Sequence, residues 1–77
     1  MNDTEKRFVL AFDTLAKQGK IGVRQFCRDV GINHGNFSTF KSGTTNRCAR
    51  VEWFSELCRY GVSADWLLTG RGSMFGK

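Results

Sequence analysis

The chain of 77 residues contains no proline and one histidine, and it has no apolar run long enough to cross a membrane. The absence of proline, together with few runs of β-branched residues, favours helices over strands. The beginning of the chain has no apolar stretch of the kind found in signal peptides, so a cytoplasmic protein is expected. We therefore expect one small all-α domain over residues 1–77.

Cysteine is also scarce, and its placement argues against two kinds of site. Cys27, Cys48 and Cys58 are odd in number, widely spaced and accompanied by a single histidine, so neither a disulfide framework nor a zinc site is suggested. Cys27 and Cys58 occupy apolar positions of helical patterns, which predicts burial, whereas Cys48 lies in a polar loop. No pair of residues has catalytic spacing, so we expect neither an enzyme nor a cofactor, metal or small-molecule substrate.

The positive charge is concentrated in the middle of the chain. Residues 17–50 contain seven basic residues and one acid, Asp29, for a net charge of +6, while the remainder carries −1. Local excess charge of this kind indicates a polyanionic partner, although a solvated basic face is the simpler interpretation when charge is considered alone.

Apolar periodicity, capping residues and glycines predict five helices, at about 3–17, 23–30, 34–41, 51–59 and 64–69, followed by a loose tail over 71–77. Between the second and third helices, Gly31 supplies a helix stop, Ile32 an apolar residue in the turn and Asn33 a cap. The third helix has Phe37 and Phe40 as its apolar anchors. Its other face carries short polar side chains and no carboxylate, as a helix that contacts DNA bases requires.

The segment 22–43, GVRQFCRDVGINHGNFSTFKSG, resembles the helix-turn-helix of the phage lambda repressor/Cro-like (XRE) family without a gap. Cys27 occupies the place of its usual alanine, and Gly31-Ile32-Asn33 is similar to its Gly-Val-Ser turn. A second segment, 61–72, GVSADWLLTGRG, is similar to the fifth-helix region of bacterial prophage repressors. Together the two segments extend the resemblance over most of the chain.

The resemblance implies a five-helix repressor-type domain, with a helix-turn-helix at helices 2 and 3, that binds operator DNA as a dimer. The residues expected to read bases are Asn33, which also caps the helix, and His34, Gly35, Asn36, Thr39 and Thr45. The basic and polar residues around the motif are expected to contact phosphates: Arg24, Gln25, Arg28, Ser38, Lys41, Arg47 and Arg50. Because the short fifth helix has more apolar surface than one face can bury, Trp66 and Leu67 are expected at a homodimer interface.

Two other functions fit parts of this pattern. The same fold could serve as a protein-interaction module, for instance one that docks a toxin or a polymerase subunit, but such a face has no general need to be basic. RNA binding or non-specific binding would agree with the charge, yet not with the compact polar face of the third helix. The preferred hypothesis is a sequence-specific transcriptional regulator, most simply a repressor.

Overall fold

The computed structural model describes residues 3–43 and 50–75, and these two ranges contain five helices and no strand. The helices are α1 (Asp3–Lys17), α2 (Val23–Val30), α3 (His34–Ser42), α4 (Val51–Arg59) and α5 (Ala64–Thr69). The all-α expectation is confirmed, and α3 continues one residue beyond its expected end. Among the described helices, none is both long and apolar enough to span a membrane.

The core is built mainly from aromatic rings that α1 brings together with α2, α3 and α4. Phe8 and Phe12 lie on one face of α1, with Leu15 one turn further along, and all three are fully buried. The Phe12 ring lies 5.1 Å from that of Phe26 on α2 and 5.0 Å from that of Phe37 on α3. Rings at these separations and inclined to each other are in a favourable geometry, so α2 and α3 both pack against α1 through aromatic contacts.

Arg7 joins the beginning of the chain to α5. Its Nε donates a hydrogen bond to the carbonyl of Leu67 over 2.9 Å, and its Nη2 donates to Thr4 Oγ1 over 3.2 Å. The Leu67 carbonyl is in the last turn of α5, where carbonyls have no partner within the helix. A cation there also interacts favourably with the negative end of the helix dipole, so Arg7 stabilises the end of α5.

The segment after α5 is attached to the rest of the chain, which corrects the expectation of a loose tail for residues 71–75. The amide of Ser63 donates to the carbonyl of Met74 over 2.8 Å, and Val62 forms an antiparallel bridge with Phe75. Met74 and Phe75 are half-buried and pack against the core. The tail is therefore retained by backbone pairing and apolar contact, neither of which has a local signature in the sequence.

The two cysteines within the described residues behave as apolar side chains. Cys27 is buried on α2, and Cys58 is half-buried on α4. Burial raises the pKa of both thiols above the ordinary value, because desolvation disfavours the thiolate. Cys48 lies outside the described residues.

Candidate nucleic-acid interface

The connection between α2 and α3 is three residues long, and its geometry follows from the residue types at 31–33. Gly31 ends α2 with φ +74°, a left-handed conformation that L side chains rarely adopt. The amide of the next residue, Ile32, donates to the carbonyl of Cys27 over 2.9 Å, which is the bond of a Schellman motif. The Ile32 side chain is half-buried against the core, so this residue holds the turn through both its backbone and its side chain.

Asn33 caps α3, as expected. Its Oδ1 accepts hydrogen bonds from the amides of Gly35 over 2.7 Å and Asn36 over 3.3 Å. The side-chain oxygen is therefore occupied by the helix terminus. If Asn33 also contacts a base, the part of its side chain that remains available is the NH2 group, which only donates.

This cap gives a prediction for stability. Replacing Asn33 with alanine removes the acceptor for two amides, and we expect it to lower the free energy of unfolding by about 1 kcal/mol. The matched control is Asn33→Asp, which keeps an acceptor oxygen at the same place and should retain most of the stability. Urea unfolding followed by circular dichroism measures both. An aspartate variant as unstable as the alanine variant would show that the loss does not come from the missing acceptor oxygen.

Helix α3 is anchored by two buried phenylalanines on one side. The Phe37 ring lies 5.1 Å from that of Phe26 and 5.7 Å from that of Trp53, and the Phe40 ring lies 5.0 Å from that of Trp53. Both anchors are essentially inaccessible to solvent. Because the anchored side is fixed against three other helices, the opposite side of α3 is held facing outward.

The outward side of α3 is polar and contains no carboxylate. His34, Gly35, Ser38 and Thr39, which were expected to contact DNA, are exposed. Asn36 is half-buried at the flank of the helix, so it is less accessible to solvent than the other four residues. Such a face offers hydrogen-bonding groups without charge repulsion toward phosphates.

The cations expected to contact phosphates divide into two groups. Arg24, Arg28 and Arg50 are exposed, and none of the three is in a salt bridge among the described residues. Lys41 is different: its Nζ lies 2.8 Å from Asp13 Oδ1 and 5.1 Å from the centroid of the Phe12 ring. The Lys41 ammonium therefore connects α3 to α1, and its charge is partly neutralised within the chain.

Of the three other residues that were predicted to contact DNA, one is hydrogen-bonded within α2 and two lie outside the described residues. The amide nitrogen of Gln25 donates to Asp29 Oδ1 over 2.9 Å, so this side chain must leave Asp29 to reach a phosphate. Those two are Thr45 and Arg47.

No group of three or more potential metal-ligating side chains occurs among the residues that the structure describes.

A polar cleft beside α3 was not foreseen from the sequence. It has a volume of about 400 Å³ and lies between the α2–α3 turn and the beginning of α4, with Asn33, Asn36, Arg50 and Trp53 among its lining residues. Arg50 is the residue immediately before α4, where it occupies the capping position without a side-chain cap. The sequence identified Arg50 as a cation near the motif, but not that it lies against the turn.

The expected dimer surface on α5 requires a correction. Leu67 is 1% exposed and belongs to the core of the single chain, so it has no surface to offer a partner. Trp66 is half-buried, and it is Leu68, at 60% exposure, that faces solvent. Leu68 lies beside Val51, which is 78% exposed, in an apolar groove that also includes Phe54 and Cys58. We call these four residues the α4–α5 face.

Comparisons of the chain with protein-family models, with curated proteins and with solved structures gave no match.

Proposed function

We propose that the chain is a sequence-specific double-stranded DNA-binding protein that acts as a prophage-type transcriptional repressor, with α2 and α3 forming a helix-turn-helix. The observation that carries this proposal is the outward side of α3. It is polar, free of carboxylates and held outward by two buried phenylalanines, within the most basic part of the chain. These are the properties that a helix needs in order to enter the major groove.

The mechanism divides the contacts into two classes. The outward side of α3 meets base edges, where hydrogen-bond patterns differ between base pairs and can be distinguished. Arg24 and Arg28 on α2, and Arg50 before α4, approach phosphates on either side and set the position of the helix without reading sequence. Lys41 supports the orientation of α3 through Asp13 more than it contacts DNA.

Repression of this type uses two copies of the domain on one site. Two-fold related copies place their α3 helices in successive major grooves, about 34 Å apart, so the operator is expected to be partly palindromic. The α4–α5 face supports this part of the proposal, because Leu68 and Val51 leave apolar area exposed in the single chain. Sedimentation of the wild-type chain and a Leu68→Ser variant, each with operator DNA, tests it.

The proposal is tested by selection from a pool of random duplexes, followed by sequencing. We expect enrichment of a partly palindromic sequence and binding that weakens with salt. If no sequence is enriched but bulk duplex is bound at low salt, the chain binds DNA without specificity. If no duplex is bound at all, the protein-docking alternative is favoured.

The phosphate contacts give a prediction in terms of salt dependence. Replacing both Arg24 and Arg28 with glutamine is expected to reduce the slope of log affinity against log salt by about 0.9 for each phosphate that the variant no longer neutralises. The matched control replaces Lys6 and Arg71, which are exposed and lie outside the basic segment, so that the net charge changes equally. An equal change of slope in both variants would mean that only net charge matters.

A further inference from the structure

Gly35 and Thr39 occupy the centre of the outward side of α3. They are four residues apart, which places them on consecutive turns of the same face. The helical repeat also places them roughly opposite the buried pair Phe37 and Phe40, and both are exposed. If α3 enters the major groove as proposed, these two residues approach the base edges most closely. The inference below rests on that proposed function.

The hydroxyl of Thr39 is already engaged within the helix. Its Oγ1 donates to the carbonyl of Gly35 over 2.9 Å. A threonine hydroxyl has one proton, so in this arrangement Thr39 has none to give to the acceptors of guanine, adenine or thymine. Thr39 can still present to a base its methyl and the lone pairs of Oγ1.

Gly35 leaves the backbone of α3 uncovered one turn before Thr39. It has no side chain, and a Cβ at this position would lie 3.1 Å from Asn33 Oδ1, closer than ordinary contact. The same oxygen accepts a hydrogen bond from the amide of Gly35 over 2.7 Å, so a side chain at position 35 would crowd the cap of α3. The outward side of α3 thus has bare backbone at Gly35 and, one turn further along, the exposed side chain of Thr39; we call this pair of positions the Gly35–Thr39 notch.

We propose that the Gly35–Thr39 notch receives the C5-methyl group of a thymine in each half-site, and so determines specificity at that position. Thymine is the base that presents a methyl in the major groove, and the methyl of threonine is one of its usual apolar partners. Burial of the methyl between Thr39 and the Gly35 backbone removes apolar surface from water. The contact distinguishes thymine from cytosine, which has no methyl at that place.

The test removes only the methyl from DNA. In the duplex found by selection, each thymine is replaced in turn by deoxyuridine, and affinity is measured for the wild-type chain. We expect one thymine in each half-site at which the replacement weakens binding about fourfold, as for loss of one buried methyl. Wild-type binding that is indifferent to deoxyuridine at every position would overturn the inference while leaving the proposed function intact.

Two variants of Thr39 identify the group responsible. Thr39→Val keeps a methyl and removes the hydroxyl, so it should retain the preference for thymine over deoxyuridine. Thr39→Ser keeps the hydroxyl and removes the methyl, so it should bind both duplexes equally. The opposite pattern, with serine preserving affinity and valine losing it, would show that the oxygen accepts a hydrogen bond from a base amino group and would overturn the inference.

Gly35→Ala is the complementary variant. The added methyl occupies the notch, so this variant should bind the deoxyuridine duplex at least as tightly as the thymine duplex. Circular dichroism must show that this variant is folded, because its added Cβ lies close to the oxygen of the Asn33 cap. A folded Gly35→Ala variant that still prefers thymine contradicts the inference. Failure of the wild-type chain to select any sequence overturns both the inference and the proposed function.

Discussion

Replacing Phe8 with alanine is expected to lower the free energy of unfolding by about 3–5 kcal/mol. Phe8 is fully buried, and its ring centroid lies between 5.4 and 6.3 Å from six other aromatic rings. Those rings come from all of the first four helices, so the cavity left by the substitution opens where the helices meet. Small domains have total stabilities of about 5–15 kcal/mol, and this loss is a large part of that.

The control for Phe8 is a second large apolar residue on the same helix. Leu10 is 53% exposed, so Leu10→Ala should change the free energy of unfolding by no more than about 0.5 kcal/mol. Urea unfolding monitored by circular dichroism compares the two variants with the wild type. A Phe8→Ala variant that loses less than about 1 kcal/mol would mean that the aromatic cluster is not the main source of stability.

Replacing Thr39 with glutamate is expected to reduce affinity for the selected duplex at least about a hundredfold, since like charges brought together across an interface cost several kcal/mol. The substitution places a carboxylate at the centre of a face that has none. Thr39 is exposed and glutamate is a good helix former, so the fold should persist.

Ser73→Glu is the matched control for Thr39→Glu. Ser73 is an exposed, small hydroxyl residue in the segment after α5, and the substitution adds the same charge to the chain outside both α3 and the α4–α5 face. We expect it to lower affinity much less, through net charge alone. Fluorescence anisotropy with a labelled duplex measures both variants. Equal losses in the two would contradict binding through the outward side of α3.

The five helices could be predicted because their signals are local. Gly31 and Gly43 adopt the left-handed conformation immediately after α2 and α3, and Asn33 and Ser63 cap the helices that follow them. Each signal involves residues within a few positions along the chain. The two anchors of α3 could be predicted for the same reason, since their spacing by itself selects one face.

Features that depend on distant residues could not be predicted. The Lys41–Asp13 salt bridge and the Arg7 hydrogen bond to Leu67 each join helices that are far apart in sequence. Helix α5 has six residues, fewer than two turns, so its pattern does not decide whether Leu67 or Leu68 faces the core. The structure buries Leu67, and the expected dimer contact therefore moves to Leu68.

Backbone amide chemical shifts of the isotopically labelled chain, recorded by NMR during titration with the selected duplex, test the central claim most directly. We expect the largest changes at the beginning and along the outward side of α3, from His34 to Thr39, with further changes at Arg24 and Arg28. Changes that leave the outward side of α3 unaffected, or that are absent when duplex is added in excess, would contradict DNA binding by α3.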